Sequence, residues 1–164
     1  EGVGRARDAR SGRREGGVSR LFVFGWGFSA RALSRRLAAE GWTTTATSRD
    51  PARRAAGDPD ADLVDPADPA ALVEAVRGAR AVLATAPPTP EGCPALPAVV
   101  PALARAEAFP DWLGYLATTG VYGDYGGGWV FEESALKAQS PEGARRVAAE
   151  RDWLEVGRGM GLTV

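Results

Sequence analysis

The sequence has no histidine, one cysteine (Cys93), one methionine and, among 20 basic side chains, a single lysine, Lys137. Without histidine, the common His-based metal sites and Ser-His-Asp or Cys-His catalysis are excluded, and no metal site is expected. A lone cysteine cannot form an intrachain disulfide. No apolar run approaches the roughly 18 residues needed to span a bilayer. A formal net charge of −1 gives no global attraction to nucleic acid or membrane. These absences point to a cytoplasmic protein with neither a nucleic-acid nor a membrane partner, and they leave oligomerisation open. What remains is 164 residues, 45% of them hydrophobic, enough for about one domain with a real core.

Residues 1–19 are rich in glycine and arginine and almost lack large apolar side chains. They are expected to form a disordered basic tail rather than a signal peptide or a nucleic-acid arm. The chain begins at Glu1 without methionine and stops at Gly161-Leu162-Thr163-Val164 as another strand begins. The expectation is a fragment in which residues 20–164 form a nucleotide-binding domain truncated before a C-terminal substrate-binding part.

The organising stretch is Arg20 to Ala30, RLFVFGWGFSA. Leu21 to Phe24 suit a strand buried on both faces. Gly25 and Gly27 permit a tight turn with close backbone approach, and Ala30 is small enough for a helix to pack on the strand. In a G-x-G-x-x-A turn of this kind a pyrophosphate meets the N-terminus of the helix, where unpaired N–H groups and the helix dipole attract negative charge. Ser29 is the expected N-cap, Leu33 and Leu37 share one helix face, and Gly41 is the expected C-cap.

Trp42 to Thr47 has high β propensity and ends about 20 residues past Gly25, where this fold reads the adenosine ribose. The residues there are Thr47, Ser48 and Arg49. An NAD site would normally present a carboxylate to the 2′-hydroxyl, whereas a hydroxyl followed by arginine suits a 2′-phosphate, so NADP is favoured and NAD remains open. The alternative makes Arg49 a surface arginine, with Asp50 as its partner or as a helix cap before Pro51.

Further strands are expected at Asp62–Val64, Ala79–Ala86 and Trp112–Ala117. Asp68 and Pro69 open a helix to about Arg77 that Gly78 ends. Pro94 to Pro101 read as a loop or helix start, with a helix to about Ala108. The alternation predicts an α/β fold: a Rossmann-type, doubly wound parallel sheet with helices on both faces.

FVFGWGFSA, the Ser48-Arg49 strand end, Asp62-Leu63, VLATAPP and above all YLATTGVYGDYGG resemble the extended and atypical short-chain dehydrogenase/reductases, the NAD(P)-dependent epimerase/dehydratase group. The resemblance covers about Leu21 to Val164. It implies that Gly25, Trp26, Gly27 and Phe28 surround the pyrophosphate, Asp62 and Leu63 the adenine, and Ala86 and Pro87 the nicotinamide-side ribose. It also implies that Thr118, three residues before the valine of VYG, hydrogen-bonds the substrate oxygen.

One departure is plain. Active members of that group carry a tyrosine and, four residues later, a lysine that lowers the tyrosine pKa. Here the sole lysine, Lys137, follows Glu133 by four residues, and alignment of the long helix puts Glu142 and Arg146 at the two positions. They are either a replacement dyad or an i, i+4 pair on an exposed face. Two functions follow: an NAD(P)-dependent oxidoreductase or epimerase/dehydratase acting on a small carbonyl, hydroxyl or sugar-nucleotide substrate, with Thr118 polarising it and Tyr122 or Glu142 as proton donor, or a non-catalytic NADP-binding sensor or scaffold.

Overall fold

The computed structural model describes residues 18–164. The expected tail therefore lies outside the described residues except for Val18 and Ser19. Ser19 is already engaged in the fold, since its carbonyl accepts a hydrogen bond from the Thr43 amide at 3.0 Å.

Five strands form one sheet: β1 (Arg20–Phe24), β2 (Thr43–Thr47), β3 (Asp62–Val64), β4 (Ala81–Ala84) and β5 (Trp112–Tyr115). All are parallel, in the order β3-β2-β1-β4-β5. The helices between them are α1 (Phe28–Ala38), α2 (Pro51–Ala56), α3 (Pro69–Arg77) and α4 (Leu96–Ala106), and α5 (Pro141–Met160) follows β5. The expected doubly wound sheet is thus the observed one.

Alternation along β1 shows why the sheet is covered twice. Leu21 and Val23 pack with Trp26, Ala30, Leu33 and Leu37 on the α1 side. Phe22 and Phe24 point the other way, into a larger cluster with Leu72 and Val76 of α3, Val99 and Leu103 of α4, and Ala149 and Trp153 of α5. Every β1 residue from Leu21 on is buried, and full burial of side chains this size contributes roughly 1.5–3 kcal/mol each.

Helix ends account for several boundaries. Asp50 caps α2 by accepting from the Ala52 and Arg53 amides, and Asp68 caps α3 from Ala70 and Ala71, each followed by proline. Ser140 caps α5 from the Gly143 amide. Asp50 is thus a helix cap. In α1 the expectation is corrected: the N-cap is Gly27, in extended conformation, and Ser29 lies within the helix. The turn glycine leaves the strand so directly that helical geometry begins two residues earlier. Its C-cap is Ala39, while Gly41, at φ +81°, takes the left-handed position two residues later. β4 and β5 are each shorter than expected at the carboxyl end, and α4 runs through the exposed Pro101. Beside β5, the Leu113 amide donates to the Thr163 carbonyl at 3.0 Å, so the last residues pair with the sheet edge.

Candidate functional site

The strand order reverses direction between β1 and β4, and ligands of such sheets bind outside the carboxyl ends of the strands at that point. Gly25 stands there with φ +104°. A Cβ on it would lie 2.8 Å from Thr85 Oγ1 and 3.0 Å from the Ala86 amide nitrogen. The Thr85 and Ala86 amides donate to the Phe24 carbonyl at 3.0 and 3.2 Å, and the Thr85 hydroxyl to the Gly25 carbonyl at 3.0 Å. From the other side the Gly25 amide donates to Thr47 Oγ1 at 2.8 Å. The turn is therefore clamped between the ends of β2 and β4, which places Ala86 beside it and Pro87 next along the exposed edge.

Gly27 and Phe28 face outward: a Cβ on Gly27 meets nothing within 4 Å, and Phe28 is 90% exposed. The first turn of α1 has no acidic residue and, unlike the Asp- or Ser-capped α2, α3 and α5, no side-chain cap. Its amides present an open, electropositive end to the crevice. Trp26 does the opposite. Its ring is buried under α1, and its indole Nε1 donates to Asp58 Oδ2 at 2.9 Å. Only its backbone is left for a ligand.

At the end of β2, Thr47 and Ser48 are buried and Arg49 is exposed. The Ser48 hydroxyl accepts from the Asp50 amide at 3.3 Å, and its carbonyl accepts from Arg54. Asp62 and Leu63 are placed differently from the other expected adenosine-side residues. Asp62 opens β3 opposite Thr45, two residues short of the ligand edge, and Leu63 packs under α1. The carboxylate at the edge is Asp65, which receives Arg54 Nη2 at 2.5 Å.

On the β5 side, Thr118 caps the 3-10 turn Thr119–Val121. Its Oγ1 accepts from the Gly120 amide at 3.3 Å, and its side chain is exposed. Tyr122 follows, half-buried. The α5 N-terminus packs against this turn through Gly143, where a Cβ would lie 3.2 Å from the Gly120 carbonyl oxygen. Thr118, Tyr122 and the first turn of α5 are thus brought to one end of the sheet. The expected Glu142–Arg146 pair is corrected. Glu142 Oε1 pairs instead with its i, i+3 neighbour, at 3.1 Å from Arg145 Nη2, while Arg146 is held elsewhere. Arg146 Nη1 donates to the Leu116 carbonyl at 2.7 Å, and its guanidinium lies 6.0 Å from the Tyr115 ring centre. Its own backbone amide, and Arg145 against some desolvation, hold the Glu142 carboxyl below the ordinary range. Burial pushes the Tyr115 phenol up, against the opposing pull of Arg146.

Sequence reasoning missed Thr47 as the clamp of the glycine turn and Asp58 as the anchor of Trp26. A tryptophan inside a glycine turn was the available signal, since a buried indole N–H needs an acceptor.

No protein-family model matches this sequence, and comparison with curated proteins gave no match. Solved structures do match. A conserved protein of unknown function from Silicibacter pomeroyi is 36% identical with a TM-score of 0.73, over 84% of this chain and 49% of that one. UDP-N-acetylglucosamine 4-epimerase from Bacillus cereus is 16% identical with a TM-score of 0.68, over 88% and 52%. UDP-glucose 4-epimerase from Thermus thermophilus, solved in complex with NAD, is 20% identical with a TM-score of 0.66, over 87% and 52%. The chain shares the fold of the NAD-dependent epimerases. It spans about half the length of each of these structures. No helix among the described residues is long and apolar enough to cross a membrane.

Proposed function

We propose that this chain is the cofactor-binding part of an NAD(P)-dependent oxidoreductase or epimerase/dehydratase of the atypical short-chain type. The observation that carries the reading is the glycine turn at the switch point, clamped by Thr47 and Thr85 and opening onto an uncapped helix end. Backbone amides of Gly27 and Phe28 would receive the pyrophosphate, and Ala86 and Pro87 the nicotinamide-side ribose. The likeness to a structure solved with NAD supports a nicotinamide dinucleotide. At the end of β2 the exposed Arg49 stands where an NAD site would carry a carboxylate, which favours NADP. Adenine would lie against the β3 edge, by Asp65 rather than Asp62.

On the substrate side, Thr118 would hold the reacting oxygen of a carbonyl, hydroxyl or sugar-nucleotide substrate, and Arg146 would approach a ribose hydroxyl from the end of β5. Tyr122 is the phenol in reach of the same turn and the better proton donor. Glu142 is ionised at neutral pH and engaged by Arg145. One observation favours the second reading, a non-catalytic sensor or scaffold: Arg146 is held on the Leu116 carbonyl with its guanidinium toward Tyr115, and not on Tyr122 or Glu142.

The test is calorimetric titration of the chain with NADPH and NADH. Arg49→Ala should weaken NADPH about tenfold or more, the scale of one charge-assisted phosphate contact, and leave NADH nearly unchanged. Tighter wild-type binding of NADH, or equal losses for both, would remove the NADP assignment; binding of neither would remove the dinucleotide reading.

A further inference from the structure

Two arginines from different helices converge on one buried carboxylate beside the glycine turn. Asp58 lies in the loop between α2 and β3, and its side chain is only 4% exposed. Its Oδ2 accepts from the Trp26 indole at 2.9 Å and lies 3.3 Å from Arg31 Nη2 and 3.6 Å from Arg53 Nη2. Its Oδ1 accepts from the Asp60 amide at 3.1 Å. Indole, backbone amide and one guanidinium would already satisfy a single carboxylate. The second guanidinium leaves the group with one uncancelled positive charge, and the Arg31 and Arg53 side chains stay 38% and 34% exposed. Guanidinium donors that reach solvent beside a carboxylate already satisfied by other groups can take an anion from outside.

Position says which anion. Arg31 ends the first turn of α1, whose open end faces the crevice. Arg53 sits in α2, directly after the Ser48-Arg49 strand end. Trp26 belongs to the glycine turn itself, so its bond to Asp58 ties both cations to the wall of the dinucleotide seat. We propose that Arg31 and Arg53, with Asp58 as their positioning residue, form a cationic clamp for a phosphate monoester on the adenosine ribose, so that the preference for NADP(H) over NAD(H) does not rest on Arg49 alone. This rests on the reading that the glycine turn takes a dinucleotide. Guanidiniums suit the task because their planar donors match phosphate oxygens, and an anchored side chain loses less freedom on binding.

The experiment is titration of the full chain, and of Arg31→Gln and Arg53→Gln, with NADPH and NADH at two salt concentrations. Each substitution should weaken NADPH about tenfold and NADH less than twofold, with a shallower salt dependence for NADPH. Asp58→Asn keeps an oxygen for the indole but releases the guanidiniums, and should lower the NADPH-over-NADH preference by a similar factor. A purely structural role would weaken both nucleotides together, and that outcome, or unchanged NADPH binding in the arginine variants, overturns the clamp. A preference kept or raised in Asp58→Asn overturns the positioning role. A wild-type chain that binds neither nucleotide overturns the underlying dinucleotide reading, whereas one that binds both equally, with the arginine variants unchanged, overturns the clamp alone.

Discussion

The two ends of the ligand edge are built in different ways. At the β1 end, the bonds that shape the glycine turn are long-range: Gly25 to Thr47 spans 22 residues, Trp26 to Asp58 spans 32 and Thr85 to Gly25 spans 60. At the β5 end, Thr118, Asp124 and Ser134 bond to amides two or three residues away, and Trp129 and Phe131 are largely exposed. Only a few ties reach further there, chiefly Arg146 to Leu116 and the Lys137 amide to the Val121 carbonyl. A turn fixed from several strands at once is a preorganised seat, because it cannot move without breaking the sheet. A turn fixed mainly by its own neighbours opens at lower cost. The molecule is thus most rigid where a cofactor would sit and more adaptable at the β5 end.

The sharpest way to break this contrast is Gly25→Val. At φ +104°, with Thr85 Oγ1 and the Ala86 backbone within 3.0 Å of any Cβ, both strain and clash act, and the backbone atoms cannot step aside. A loss of about 3 kcal/mol or more in urea unfolding is expected. Unchanged stability would mean that the clamp between β2 and β4 is not what holds the turn.

Gly27→Val addresses the same turn with the opposite expectation. Gly27 has φ −94° and open space around its Cβ position. Folding should lose about 1 kcal/mol, the cost of a poor N-cap residue, while dinucleotide affinity falls about 10³-fold because the side chain fills the pyrophosphate approach. A variant that unfolds, or that binds normally, would make this glycine a packing residue or a plain turn.

The same division between long-range and local bonding explains how much the sequence revealed. Asp68-Pro69 through Gly78 could be read almost to the residue, since caps, proline and helix period act over a few positions. The order of the β1-turn-α1 unit and the parallel sheet were also legible, because buried apolar runs alternating with helices leave few topologies, although both caps of α1 fell two residues from where they were expected. Thr47 and Asp58 could not be read, because what they do depends on residues 22 and 32 positions away. The register of β3 was not legible for a related reason: the strand could be read, but not the pairing of Asp62 with Thr45, which puts Asp62 two residues before the edge. Glu142 was assigned the wrong arginine because Arg145 and Arg146 both lie within helical reach, and Leu116, distant in sequence, takes the second.

The smallest effects separate catalysis from cofactor binding on the β5 side. In the full-length protein, assayed by NADPH oxidation with a set of carbonyl compounds, Thr118→Val removes one hydroxyl from an exposed site with little change of shape. The hydroxyl's present bond, to the Gly120 amide at 3.3 Å, is weak enough that the fold should persist. kcat/KM should fall about 10²-fold with the cofactor Kd unmoved, the loss of one donor to a developing charge. Glu142→Gln should change the rate less than twofold. A general acid is most effective when its pKa lies near the working pH, whereas the Glu142 carboxyl is held below the ordinary range by its own backbone amide and Arg145. It is therefore charged throughout the neutral range and has no proton to give there. The pH profile of kcat/KM between about pH 5 and 9 should be the same with and without it. Loss of a limb of that profile in Glu142→Gln would hand proton transfer back to Glu142. If neither substitution matters while NADPH still binds, this end of the sheet carries no chemistry and the sensor reading stands.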